Sequence, residues 1–168
     1  GTIMDTSLYA PFFMPNLTIL TCRTVGDEPV LGSPEMVRLL RTVLRDIQAS
    51  LNFRLAAFAF MPTHLHLLTR WEDVGPPERL IAEMARRYHL EYQLLMGNPQ
   101  LMTVWQKRVE SRDIQDVDTF AACLDAIHYD PVRHGVANRP EEWADTSYEV
   151  WVERLSLIHI SEPTRPTP

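Results

Sequence analysis

The chain has 168 residues, 45% of them hydrophobic and 23% charged, with a formal net charge of −6. That length allows one domain with a proper core and not two comfortable ones, and the composition is that of an ordinary globular protein. The acidic balance counts against a general nucleic-acid binder, which is usually basic, but leaves room for local basic clusters. Cys22 and Cys123 lie far apart with no CxxC pair. Neither a disulfide framework nor a zinc knuckle is expected, and a reducing cytosol is the default compartment. No apolar run approaches the roughly 20 residues that span a bilayer, and nothing at the start resembles a signal peptide. The chain opens on Gly1, and residues 1–11 read as an N-terminal extension or the remnant of one.

"FFMPNLTILTCRT" (12–24) is apolar and β-branched after Pro15 and predicts a strand. "SPEMVRLLRTVLRDIQASL" (33–51) predicts a helix, with Ser33 at the N-cap, Pro34 in the first turn and Glu35 at the positive end of the dipole. Met36, Leu39, Leu40, Val43, Leu44 and Ile47 then recur at helical spacing. "FRLAAFAFMPTHLHLLTRW" (53–71) reads as two strands joined tightly at Met61-Pro62-Thr63. Residues 76–97 predict a second helix, entered through prolines and stopped by Gly97. "VWQKRVESRDI" (104–114) carries no clear period, and "DVDTFAACLDAIHY" (116–129) predicts a third helix that Pro131 ends or kinks. This order predicts an α/β sandwich of the α+β kind, with helices packed on an antiparallel sheet, in a single domain over 12–154. "LSLIHISEPTR" (155–165) resembles the read-through translation of a sequencing-adaptor end, a genuine flexible tail being the alternative. Residues 155–168 are therefore expected to be a non-native, disordered tail, with the native chain ending near Arg154.

"THLHLL" places His64 and His66 two apart in a predicted strand, so both imidazoles share one face. Such a pair can hold a divalent cation, although an isolated HxH is more often an ordinary hydrogen-bonded pair. "DAIHYDPVRHG" (125–135) adds a carboxylate, Asp130, on the predicted third helix. Residues i and i+4 share a helix face, which stacks Ala126 with Asp130 and sets Tyr129 beside them. A carboxylate is disfavoured at a helix C-terminus, which makes a bound cation attractive there; a turn before Pro131 is the plainer reading.

Together "MPTHLH", "VWQKR", "LDAIHYDPVRHGV" and "RPEEWADTSY" stand in the order and spacing of the REP-associated tyrosine transposases. These belong to the HUH superfamily of single-strand DNA transposases, and the resemblance runs from about residue 12 to 152. It implies the ferredoxin-like, RRM-like HUH nuclease fold. It also implies Mg2+ or Mn2+ held by the histidine pair and a third side chain, and folded hairpins of single-stranded DNA as partner. A helix tyrosine attacks the scissile phosphate in that family, giving a 5′-phosphotyrosine and a free 3′-OH. His64 and His66 match the metal pair, and Asp130 stands where the family pattern NPVKHG has asparagine. The nucleophile belongs four residues earlier, and there this chain has Ala126. Tyr129 is the available substitute, about 60° around an ideal helix from that position, and packing or DNA contact is its other reading.

Lys107, Arg108, Arg133 and His134 are the candidate DNA contacts, each with a solvated surface role as the alternative. Arg86 and Arg87 are weaker candidates, while Tyr88, Tyr92, Trp105 and Trp143 read as packing. Three functions follow: a DNA-nicking transposase, a catalytically silent hairpin-binding homologue, or a metal-dependent hydrolase using water. For the last, the sequence offers no evident general base. Monomer and homodimer are both compatible with the resemblance.

Overall fold

The computed structural model describes residues 6–72, 77–96 and 104–161. Its centre is a four-stranded antiparallel sheet built from β1 (Leu17–Arg23), β2 (Phe53–Phe60), β3 (His64–Trp71) and β4 (Glu110–Ile114), in the order β2-β3-β1-β4. Helix α1 (Pro34–Leu51) connects β1 to β2, and α2 (Pro77–Met96) lies between β3 and β4. Then come α3 (Val117–His128), the single turn α4 (Asp130–Arg133) and α5 (Tyr148–Ser161). The first six elements trace the split βαββαβ pattern of a ferredoxin-like sheet. This is the α+β antiparallel architecture that the sequence predicts.

Period-two alternation divides the sheet between two apolar layers. Leu20, Cys22, Leu65, Leu67 and Trp71 meet α1 and α2, together with Leu40, Ile47, Leu80, Met84 and Tyr88. On the other face Leu17, Ala57, Ala59 and Leu68 meet Phe120, Leu124 and Ile127 of α3 and Trp151 of α5. The residues predicted for the apolar stripe of α1, from Met36 to Ile47, are all buried. Ser33 takes the N-cap position, but its hydroxyl bonds the Glu35 carboxylate at 2.9 Å and not a backbone N–H. Asn52 ends α1 in the left-handed conformation with φ 52°, one that asparagine tolerates.

Several expectations shift. The predicted strand over 12–24 begins only at Leu17, because Ala10–Phe12 winds into a 3-10 turn. The unassigned stretch 104–114 contains β4, an edge strand whose only buried residue is Ile114. Its charges are what an exposed edge requires and what hides it from a hydrophobicity reading. The third helix stops at His128, and Asp130 opens a new turn instead of closing the old one. Residues 155–161, expected in a disordered tail, continue α5, and residues 162–168 lie outside the described ones. Cys22 and Cys123 are buried and unpaired.

The loop between β2 and β3 sets the phase of β3. Thr24 N–H donates to the Thr63 carbonyl at 2.9 Å, and Leu31 N–H to the Pro62 carbonyl at 3.1 Å. With that turn fixed, His64 pairs with Arg23 and His66 with Thr21. A one-residue slip would send both imidazoles into the α1–α2 core. Leu67 is fully buried on the opposite side of the same strand. Leu67→Ala is expected to lower the unfolding free energy by about 2–5 kcal/mol, read from urea denaturation at unchanged m-value. A loss below about 1 kcal/mol would mean that this layer is not close-packed.

Candidate metal and nucleic-acid site

His64 and His66 project from β3 on the α3 side of the sheet, in step with Leu68. Asp130 reaches them from the turn after α3. Its Oδ2 accepts from Nε2 of His64 at 2.7 Å and from Nε2 of His66 at 3.1 Å. His64 and Asp130 are buried, and His66 is half-buried. One ligand atom from each of the three lies within 4.8 Å of the others, so the group can take one metal ion.

Asp130 gets there by a break in the helix. Tyr129 leaves helical geometry with φ −94° and ψ 3°, and Pro131 starts the next turn. Proline suits that position because the first turn needs no N–H from it. Gly135, at φ +71°, then closes the turn in a conformation that favours glycine. Asp130 thus stands in a first turn and not at a last one. The dipole argument for a cation therefore lapses, and the convergence of imidazoles takes its place.

The second oxygen of Asp130 is also occupied. Oδ1 accepts from Arg133 Nη2 at 3.0 Å and from His134 Nε2 at 3.2 Å. Burial pushes the Asp130 carboxyl upward, but the hydrogen bonds from His64 and His66 outweigh it and hold the group well below the usual carboxylate range.

The imidazoles are held from behind by hydroxyls. His66 Nδ1 lies 2.8 Å from Thr21 Oγ1, and His64 Nδ1 lies 3.2 Å from Thr63 Oγ1. A hydroxyl can donate or accept. When Nε2–H faces Asp130, each threonine donates to Nδ1; when Nε2 is bare for a cation, Nδ1–H donates to the threonine. Both tautomers are satisfied without moving a side chain. The donor set therefore fits a divalent cation, with two neutral nitrogens, one carboxylate and a second shell that orients the rings.

Ala126 sits near the end of α3, where its methyl group borders two open hollows. The first, about 460 Å3, lies between α3 and β4 and is bordered by His66, Thr21, Glu110, Arg112 and Arg133. The second, about 430 Å3, includes Asp118, Asp125 and Tyr129. Tyr129 is 42% exposed and packs edge-on against Tyr148, so it borders the hollow that His66 does not. The broken helix turns the sequence-expected neighbour of position 126 away from the histidines.

Arg133 and His134 are engaged with Asp130, while Lys107 and Arg108 are exposed beside Gln106, whose N–H pairs with Arg23 at the His64 end of the sheet. Arg86 and Arg87 both bond Glu83 on α2. Trp105 and Tyr88 are buried in the core, and Trp143 donates to the Phe60 carbonyl. Sequence reading missed Thr21, Glu110 and Arg112. They meet the site only through the pairing of β1 with β3 and β4, which no local pattern encodes.

No protein-family profile and no curated protein matches the chain. Solved structures do share its fold. It is similar to a REP-associated tyrosine transposase solved bound to a REP hairpin, at TM-score 0.73 and 18% identity, covering 93% of this chain and 90% of that one. It is also similar to a candidate transposase from Deinococcus radiodurans, at TM-score 0.53 and 18% identity, covering 68% of this chain and 90% of that one. The chain therefore has the fold of a tyrosine transposase of the REP-associated kind.

Asp130 is the partner common to both imidazoles. In metal-free protein, Asp130→Asn is expected to cost about 1.5–3 kcal/mol of unfolding free energy at pH 7, the scale of a charge-assisted hydrogen bond. A carboxylate with a lowered folded pKa stabilises above its unfolded value of 3.8 and loses that contribution as the pH falls further. The gap between wild type and variant is thus expected to be full above about pH 4 and to narrow below it, in urea titrations with chelator present. An equal gap at pH 3 and pH 7 would contradict the depressed carboxyl.

Proposed function

We propose that this chain binds single-stranded or hairpin DNA on the face formed by β3, α3 and α4, together with Mg2+ or Mn2+, and is silent in tyrosine chemistry. The observation that carries this reading is the convergence of His64, His66 and Asp130 on one cation-sized position. It is supported by a fold shared with a transposase that was solved on a hairpin.

His64, His66 and Asp130 would hold the cation, with Thr21 and Thr63 fixing the rings. When bound, the cation supplies positive charge against the oxygens of a DNA phosphate. Arg133 lies beside the ligand set, Arg112 across the hollow, and Lys107 and Arg108 at the same end of the sheet as His64. These side chains concentrate positive charge on part of an otherwise acidic chain and are suited to phosphate contact. Covalent strand transfer needs a nucleophile that approaches the phosphorus while the cation is in place. Position 126 offers a methyl group, and the Tyr129 phenol borders the other hollow.

Two measurements test this reading. Mn2+ at a hundred times its dissociation constant should stabilise the folded state by about 2.7 kcal/mol, raising Tm by roughly 5–10 °C. His66→Ala should abolish that shift, and an unshifted wild type would overturn the metal site.

The second uses a labelled hairpin with a single-stranded extension, with Mn2+ present. Wild type should bind with strong salt dependence, the logarithmic slope being about −0.7 for each single-strand phosphate contacted. It should give no protein–DNA covalent band on a denaturing gel, and Ala126→Tyr should give one. A covalent band from wild type that disappears in Tyr129→Phe would overturn the silent reading in favour of a displaced nucleophile. Cleavage without any covalent band would favour a water-using hydrolase instead.

A further inference from the structure

The hollow between α3 and β4 has a built character that the metal site alone does not explain. Its floor is apolar, formed by Ile19, Cys123 and Ile127, and its α3 wall is lowered by Ala122 and Ala126, which stack at i and i+4. Its β4 wall carries Glu110 and Arg112. The register Thr21↔Glu110 and Ile19↔Arg112 puts both on the same face of the sheet as His66. At about 460 Å3 it falls in the range of small-ligand pockets.

Charge is arranged at both ends. Arg133 uses Nη2 on the Ala126 carbonyl at 3.0 Å and on Asp130 Oδ1 at 3.0 Å. A guanidinium has five N–H donors, so three remain beyond those two bonds. Arg112 has no ion-pair partner among the described residues and borders the same hollow. The cation-sized position lies against its edge, because His66 belongs to both.

The geometry points to a nucleotide subsite: the space above Ala126 takes one unpaired nucleotide of the bound strand. Its base lies on the apolar floor under Arg112, and its phosphate is directed to Arg133 and the histidine side. An apolar slot with a guanidinium above it suits a base face, which stacks without sequence preference. Glu110 is an acceptor at the rim and favours bases that present an exocyclic amino group, cytosine or adenine, over thymine. This inference rests on the DNA-binding reading above and adds which nucleotide position is gripped and by what.

The subsite also explains what Ala126 does. A large side chain at 126 fills the hollow, whereas the alanine leaves it free for the substrate. Binding energy is drawn from the space that a nucleophile would occupy.

The test uses hairpins whose single-stranded extension carries one 2-aminopurine at successive positions, with Mn2+ present. Wild type is expected to change the fluorescence strongly at one position only. Ala126→Phe should remove that signal and weaken binding by roughly ten- to a hundredfold, the scale of one stacked base. Ala126→Tyr should lose the signal in the same way while gaining the covalent band. Arg112→Ala, on an exposed edge strand, should lower affinity in the same direction with Tm unchanged, which separates loss of the subsite from misfolding. Ala126→Ser should keep the signal.

A folded Ala126→Phe that binds as tightly as wild type, or a fluorescence change spread evenly along the extension, would overturn the subsite and leave the DNA-binding reading standing. Failure of wild type to bind any of the hairpins would overturn both. Replacing the signal-bearing position by thymine should lower affinity relative to cytosine, and an unchanged affinity would remove Glu110 from the base-reading role.

Discussion

One buried carboxylate ties the two halves of this domain together. Asp130 is 2% exposed and accepts from two imidazoles of β3 on one oxygen, and from Arg133 and His134 on the other. A carboxylate taken out of water is costly unless its oxygens are satisfied. Here four donors from two different elements satisfy them. The same contact fixes the turn after α3 over the sheet, so position 126, the Arg133 guanidinium and the histidines all keep their places relative to one another.

That arrangement puts two opposing demands on Asp130. A cation is attracted by the carboxylate, while the Arg133 guanidinium 3.0 Å away on the other oxygen opposes it. Aspartate with arginine beside it carries no net charge at this point, much as a neutral asparagine there would. The departure from the asparagine of the REP-associated pattern is thus partly offset within one helical turn. Local charge is conserved more nearly than residue identity.

Much of the site was legible because it is local. The alternation in "THLHLL" puts the histidines on one face, and the apolar stripe of α1 and the proline-bounded turn before His64 fix the order of elements. Three things were not legible. β4 is an exposed edge whose alternate residues are charged, so its strand character comes from pairing with β1 and not from burial. α5 buries only Trp151 among residues 148–157 and shows no apolar stripe to read. The break at Tyr129 is the most consequential: Pro131 signals a stop or a kink alike, and only the new turn shows that Asp130 begins a segment. Treating 116–130 as one helix places Tyr129 close to position 126 and the histidines. The actual break turns it to Tyr148.

The break also bears on how position 126 works. Residues of one rigid helix share its orientation, so a nucleophile at 126 and a ligand at 130 would move as one body. Here the Arg133 bond to the Ala126 carbonyl bridges the interruption, holding the end of α3 to the turn that carries the carboxylate. The distance between position 126 and the cation position is therefore set by a side chain and not by helix geometry. A hollow defined in this way keeps its width without a tyrosine to fill it. The scaffold can accordingly lose the nucleophile and still hold the histidines, the carboxylate and the guanidinium in register.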